Sequence, residues 1–338
     1  MKMTNPRLAT TGVEAPRDQA LLIESLSMDI GDGEGGRHPL LDDVQIRVGH
    51  GETVGLVGES GSGKSLTSRA VLGMVPAGAR VSGSVTVGAT EVVGAVPAAL
   101  RALRRHDAAM IFQDARASIN PVRTIGDFLT EGLRAGGQSV REAKQTSLRL
   151  LQEVGIRDPE AALKSHPHEF SGGMLQRVMI AAALSIEPSL LLADEATTAL
   201  DVTTQAEVVM LLKRLQAQHR TGLLFVTHQL DLAAAIADRI YVMYAGRIVE
   251  TATSESLFSQ PAHPYTVGLL GSSPSLDPAR TLIPIAGRPL ALADAPGGCA
   301  FRDRCSWAIG ECAVSVPKLR DVKGTQVACI RAEEVQAS

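Results

Sequence analysis

The stretch Gly58-Glu59-Ser60-Gly61-Ser62-Gly63-Lys64-Ser65 constrains this chain more than any other. It matches G-x-x-x-x-G-K-[ST]. It follows the β-type run Thr53–Val57 and opens the helical run Lys64–Met74, which ends near Gly73 and Pro76. In that setting glycines let backbone N–H groups turn inward onto phosphate oxygens. The helix N-terminus adds a favourable dipole. Lys64 reaches the β- and γ-phosphates, and Ser65 ligates Mg²⁺. Gly58, Ser60, Gly61, Ser62, Gly63, Lys64, Ser65 and Thr67 are therefore the expected nucleotide contacts. An ordinary Gly-rich turn is the competing reading, but it does not require a strand before it and a helix after it.

The rest of the chain to about Glu250 alternates strands and helices. Leu21–Ile30 alternates apolar and polar residues, as a half-buried strand should. GDGEGG (31–36) is a turn, and Val44–Val48 is a second strand. Val81–Val87 and Glu91–Val93 read as short strands of a small antiparallel region, and Met110–Phe112 as another strand. Ile125–Leu133, Val140–Val154 and Gly173–Leu184 are helical. Leu190–Ala193 and Leu223–Val226 are apolar without alternation, as strands covered on both faces should be. Thr203–Gln218 and Leu230–Ala237 read as helices, and Ile240–Tyr244 with Arg247–Thr251 as a hairpin. The alternation predicts an α/β fold with a mostly parallel sheet.

Residues 1–19 read as a disordered leader with no secretory apolar core. After about 255, prolines at 261, 264, 274, 278, 284, 289, 296 and 317 replace long periodic segments, so 255–338 is expected to be a small irregular domain in need of a staple. All four cysteines, Cys299, Cys305, Cys312 and Cys329, fall there.

Composition removes several function classes. The 33 Lys+Arg nearly balance the 36 Asp+Glu, and aromatics are 3%. Neither the basic face of a nucleic-acid binder nor a stacking platform for single strands is present. The most apolar stretch, Val178–Ala193, is interrupted by Glu187 and Pro188 and is too short to span a bilayer. The chain reads as cytosolic. There, clustered cysteines point to metal before disulfides. Their C-x5-C-x6-C-x16-C spacing lacks the C-x2-4-C pair usual for structural zinc. A [4Fe–4S] cluster, zinc and four free thiols all remain open.

Leu190-Leu191-Leu192-Ala193 runs into Asp194-Glu195. Alone, such a pair could be a helix N-cap. Beside a phosphate loop, Asp194 reads as the Mg²⁺ carboxylate and Glu195 as the group that orients or deprotonates the attacking water. Phe170-Ser171-Gly172-Gly173-Met174-Leu175-Gln176-Arg177 then resembles the signature of ABC-transporter ATPases, usually written LSGGQ, at its usual place before the Asp-Glu strand. The resemblance implies that Ser171, Gly172 and Gly173 bind a γ-phosphate. It makes Gln113, in Ile111-Phe112-Gln113-Asp114, the Q-loop residue that senses the γ-phosphate or Mg²⁺. Ala199-Leu200-Asp201 becomes the D-loop and His228 the switch histidine. His166, His168 and His263 read as surface or capping residues.

Two positions depart from the pattern. Ile30 stands where the family stacks an aromatic on adenine, and Ala196 where it usually has Pro. Ser118-Ile119-Asn120-Pro121, Tyr244-Ala245-Gly246-Arg247-Ile248-Val249-Glu250, His263-Pro264-Tyr265-Thr266 and Ser273-Pro274 narrow the resemblance to the dipeptide/oligopeptide/nickel importer branch. It covers about residues 20 to 330.

The resemblance implies a phosphate-loop ABC ATPase domain over 20–254. This comprises a RecA-type core, an antiparallel β subdomain and a helical subdomain at about 114–180. A Cys-containing extension follows over 255–338. Implied cofactors are ATP, Mg²⁺ and a [4Fe–4S] cluster or Zn²⁺. Implied partners are a homologous second ATPase in a heterodimer, two integral membrane permeases and an extracytoplasmic substrate-binding protein. The place is the cytoplasmic face of the membrane. Peptides are the expected cargo, with nickel or glutathione as alternatives. A soluble ABC ATPase acting on nucleic acid or ribosomes is the more distant rival; it would need a coiled coil or basic insert, and neither is visible.

Overall fold

The computed structural model describes residues 19–33, 35–198, 200–273 and 282–337. Most of the expected leader, Ala199 of the expected D-loop and Pro274 lie outside the described residues.

Two sheets carry the chain. The first is antiparallel and four-stranded, in the order β2-β1-β4-β5. Its strands are β1 (Gln19–Gly31), β2 (Arg37–Gly49), β4 (Ala79–Val87) and β5 (Thr90–Glu91). Between them come β3 (Thr53–Val57) and α1 (Lys64–Val71). β2 is longer than the expected 44–48. Its first half, Arg37–Leu41, is half-polar and is held by pairing to β1 across Gly31↔Arg37 and Met28↔Leu41.

The second sheet has eight strands in the order β11-β12-β10-β9-β3-β8-β7-β6. Five form its parallel core: β3, β6 (Ala108–Ile111), β7 (Leu190–Asp194), β8 (Gly222–Thr227) and β9 (Arg239–Tyr244). Every residue of β3, β7 and β8 is buried. That is why they show no alternation. Covering helices include α1, α8 (Val202–His219) and α9 (Leu230–Ile236). α2 (Pro97–His106) lies where no element was expected, because it buries Leu103 alone.

Between β6 and β7 lies a helical block: α3 (Ala115–Ser118), α4 (Ile125–Ala135), α5 (Val140–Glu153), α6 (Pro159–Lys164) and α7 (Gly172–Leu184). Capping boxes start α4 at Thr124/Asp127 and α5 at Ser139/Glu142. Phe170, Leu175 and Val178 pack there against Ile125, Leu129, Leu150 and Leu151.

The C-terminal segment differs from the expected irregular appendage. β10 (Arg247–Thr253) leads to α10 (Ser254–Ser259) and α11 (Pro264–Ser272). Later, β11 (Arg320–Val322) and β12 (Thr325–Val327) extend the main sheet through Glu250↔Val327. α12 (Ala332–Gln336) closes the described chain. Leu257, Tyr265, Leu269 and Phe301 share one apolar cluster with Val57, Val242 and Tyr244 of the sheet. The segment therefore shares an apolar cluster with the main sheet, beside a small one of its own formed by Ala262, Val322, Val327 and Ala332.

Candidate functional site

The loop after β3 opens at the C-terminal edge of the parallel strands, where open α/β sheets bind ligands. Its glycines are required. Gly58, Gly61 and Gly63 have φ of 156°, 82° and 108°. A Cβ on Gly58 would strike the Met243 carbonyl, and one on Gly63 would meet Leu41 Cδ2 at 2.8 Å. Lys64 Nζ donates to the carbonyls of Gly58 at 2.8 Å and Glu59 at 2.9 Å. Burial lowers the pKa of this ammonium, while the Glu195, Asp194 and Glu59 carboxylates oppose that shift. Ser62 is 3% exposed, and its buried hydroxyl has no hydrogen-bond partner among the described residues. A buried unpaired donor is costly, and here it belongs to a loop suited to phosphate.

Thr67 is fully buried, and its hydroxyl donates to the Gly63 carbonyl at 3.0 Å, which braces the loop.

Asp194 ends β7, two strands from the phosphate loop. Its Oδ1 accepts the Ser65 hydroxyl at 2.7 Å. These are the two groups expected at Mg²⁺, already in contact. Burial pushes the Asp194 carboxyl above its ordinary value; the Ser65 hydrogen bond, Arg69 and Lys64 pull it back in part.

Glu195 follows with φ 49°, in the left-handed region that a non-glycine residue enters at a cost. Its N–H donates to the Val226 carbonyl at 2.9 Å, tying it to β8. Three side chains converge on Glu195 Oε2. Gln113 Nε2 and Thr198 Oγ1 donate at 3.3 Å each, and His228 Nδ1 lies 3.7 Å away. The sequence reading missed Thr198. A hydroxyl three residues past a strand-end carboxylate was the signal available. Ala196 is 1% exposed and packs in the helical-side core.

Ser171 N-caps α7, its Oγ accepting from the Met174 N–H at 3.3 Å. A Cβ on Gly173 would collide with Thr204, and one on Gly172 would press on Leu200. Among the described residues Ser171 has no hydrogen bond to the phosphate loop or to Asp194 and Glu195, so the signature and these groups are not joined within one chain. At the expected adenine position, Ile30 is half-buried and pairs with His38 across β1 and β2.

His263 is no surface residue: it is 1% exposed and caps α11, with Nδ1 accepting from the Tyr265 N–H at 3.0 Å. Burial pushes its pKa down to about 3.

The four cysteines are unbridged and line one cavity of about 20 Å³ with His263, Trp307 and Arg331. Burial pushes the Cys329 thiol up to about 11, with smaller contributions from the other three sulfurs. Among the described residues no group of three or more His, Cys, Asp or Glu is arranged to hold a metal ion. Likewise no described helix is long and apolar enough to cross a membrane.

Comparisons with known proteins agree with this geometry. The ABC transporter family profile matches residues 41–198, and that of the oligopeptide/dipeptide transporter C-terminal region matches 249–312. The chain is 45% identical over 313 residues to a peptide import ATP-binding protein of Brucella melitensis, covering 88% of this chain and 93% of the relative. It is 42% identical over 296 residues to the oligopeptide transport ATP-binding protein OppD of Escherichia coli K12, covering 87% and 88%. Among solved structures it resembles the dimeric ATP-binding cassette MJ0796 bound to ADP and Pi. The TM-score there is 0.61 at 26% identity, over 69% of this chain and 98% of that one. With the phosphate loop, the Asp194–Glu195 strand end and both profiles in chain order, this chain belongs to the ABC-transporter ATPases of the oligopeptide/dipeptide branch.

Proposed function

We propose that the chain hydrolyses ATP to power peptide import through membrane partners. One observation carries the catalytic part: Ser65 meets Asp194, while Gln113 and His228 meet Glu195, all at the C-terminal edge of one parallel sheet. Peptide as the cargo is supported by the names of relatives, which are peptide import and oligopeptide transport ATP-binding proteins.

In this reading Lys64 reaches the β- and γ-phosphates, and the amides of Ser60 to Ser65, with the Ser62 hydroxyl, take the rest. Ser65, Asp194 and Gln113 would hold Mg²⁺, which neutralises charge on the β- and γ-oxygens. Glu195 accepts a proton from water as its oxygen attacks the γ-phosphorus, and the bond to ADP breaks. Gln113 and His228 fix the carboxylate and sense the γ-phosphate. Ser171, Gly172 and Gly173, at the exposed start of α7, complete the site of a second ATPase packed head to tail.

We assign the ATPase unit to 20–254, with its helical subdomain at about 114–180, and the extension to 255–338. The partners are a homologous ATPase, two permeases and an extracytoplasmic binding protein, and the chain sits peripherally at the cytoplasmic face. We also assign the four cysteines a structural metal centre, a [4Fe–4S] cluster before zinc. Their shared lining of one cavity supports it. Brown anaerobic protein that bleaches on Cys→Ser supports the cluster; colourless protein with four alkylatable thiols removes it.

The test of cargo is uptake into vesicles carrying the assembled transporter with ATP inside the ATPase compartment. Labelled tri- to pentapeptides should accumulate. Accumulation of nickel or glutathione with no peptide uptake would overturn the assignment.

A further inference from the structure

Glu59 is the first variable residue of the phosphate loop, and the C-terminal segment holds it from two sides. Arg304 grips its carboxylate with both guanidinium nitrogens, at 2.6 Å to Oε2 and 2.9 Å to Oε1. The Tyr265 hydroxyl accepts its backbone N–H at 2.8 Å. The grip is built, not incidental. The Arg304 side chain is 4% exposed and its Nε donates to the Ala286 carbonyl at 2.7 Å. Its guanidinium also lies 5.8 Å from the ring centres of Tyr244 and Phe301. Tyr265, Tyr244 and Phe301 pack against one another at tilted and edge-on angles and are 0%, 2% and 3% exposed. A long-range bidentate pair of this kind is far more constrained than a surface ion pair.

Two consequences follow for ATP. First, the Glu59 carbonyl accepts from Lys64 Nζ at 2.9 Å and from the Ser62 N–H at 3.3 Å, so where Glu59 sits bears on the lysine and the amide that face phosphate. From the C-terminal side Glu59 is held by Arg304 on its carboxylate and by Tyr265 on its N–H. Second, an unpaired carboxylate one residue into a phosphate loop would repel the triphosphate. Arg304 cancels that charge.

We propose that Arg304 and Tyr265 are positioning residues for nucleotide binding: the C-terminal segment neutralises Glu59 and preorganises the phosphate loop. They touch no reacting atom, so they set affinity for ATP and leave the chemical step alone. The proposal rests on the reading that ATP binds at this loop.

The test measures ATP KM and kcat for full-length variants. Arg304→Met should raise KM about tenfold at unchanged kcat, as expected for loss of a charge-assisted contact. Adding Glu59→Gln to Arg304→Met removes the stranded charge and should bring KM back to within about threefold of wild type. Tyr265→Phe keeps the buried ring and removes only the acceptor; it should raise KM about threefold and guards against poor folding of the Arg304 variant. Unchanged KM in both single variants overturns the proposal, as does failure of Glu59→Gln to restore it. Lys64→Ala separates the two levels. If it binds ATP like wild type, the phosphate-loop reading itself falls. If it loses ATP while Arg304→Met and Tyr265→Phe do not, only the positioning role falls.

Discussion

Asp194 shows how function is written against stability at one residue. Its carboxyl is 3% exposed, and burial raises its pKa in the folded, nucleotide-free chain. Between the unfolded and folded values the native state binds more protons, so this group makes stability fall as pH rises through that window. Asp194→Asn should therefore raise the melting temperature of nucleotide-free protein at pH 8, by about 2 °C for each kcal/mol recovered in a chain of this size. The gain should shrink towards pH 4, and hydrolysis should be lost throughout. A variant that melts lower than wild type at pH 8 would show that the Ser65 hydrogen bond outweighs the burial. Glu195 carries a related cost in its φ of 49°, held by the Val226 carbonyl.

Among elements, α7 carries the clearest consequence. Ser171 caps it and is exposed, while Gly173 lies against Thr204. Ser171→Arg should leave ATP binding to the isolated chain intact and impair hydrolysis at the partner's phosphate loop. Equal loss of binding by the isolated chain would end the composite-site account. The elements also show what a sequence can carry. β3, β7 and β8 were legible because full burial leaves unbroken apolar runs, and α4, α5 and α7 because their stripes are long. α2 was not, since Leu103 alone is buried. β11 and β12, three residues each, are too short for any period to register and exist through pairing, β12 to β10 and β11 to β12. At the site, motifs pointed to Lys64, Asp194 and Glu195, and the family resemblance to Gln113 and His228. Thr198 on Glu195 and Arg304 on Glu59 are contacts across 3 and 245 residues, and the second has no local signature.

For the whole molecule, the C-terminal segment acts as part of the ATPase. Phe301 packs against Tyr244 of β9 and Tyr265 of α11, joining the segment to the strand beside the phosphate loop. Phe301→Ala should destabilise the fold by about 3–5 kcal/mol, read in denaturant by the fluorescence of Trp307, the sole tryptophan. A loss below about 1 kcal/mol, the scale of a surface change, would mean that the segment packs independently. The account as a whole stands on Glu195, towards which the sheet, the Gln113 loop and His228 all converge. Its most direct test is ATP binding and single-turnover hydrolysis by Glu195→Gln in the assembled complex, measured on the same sample. The amide cannot take the water's proton, so binding should match wild type while hydrolysis falls by at least about 100-fold. Hydrolysis within about threefold of wild type, under a kcal/mol in barrier, would contradict the assignment of Glu195 as the base.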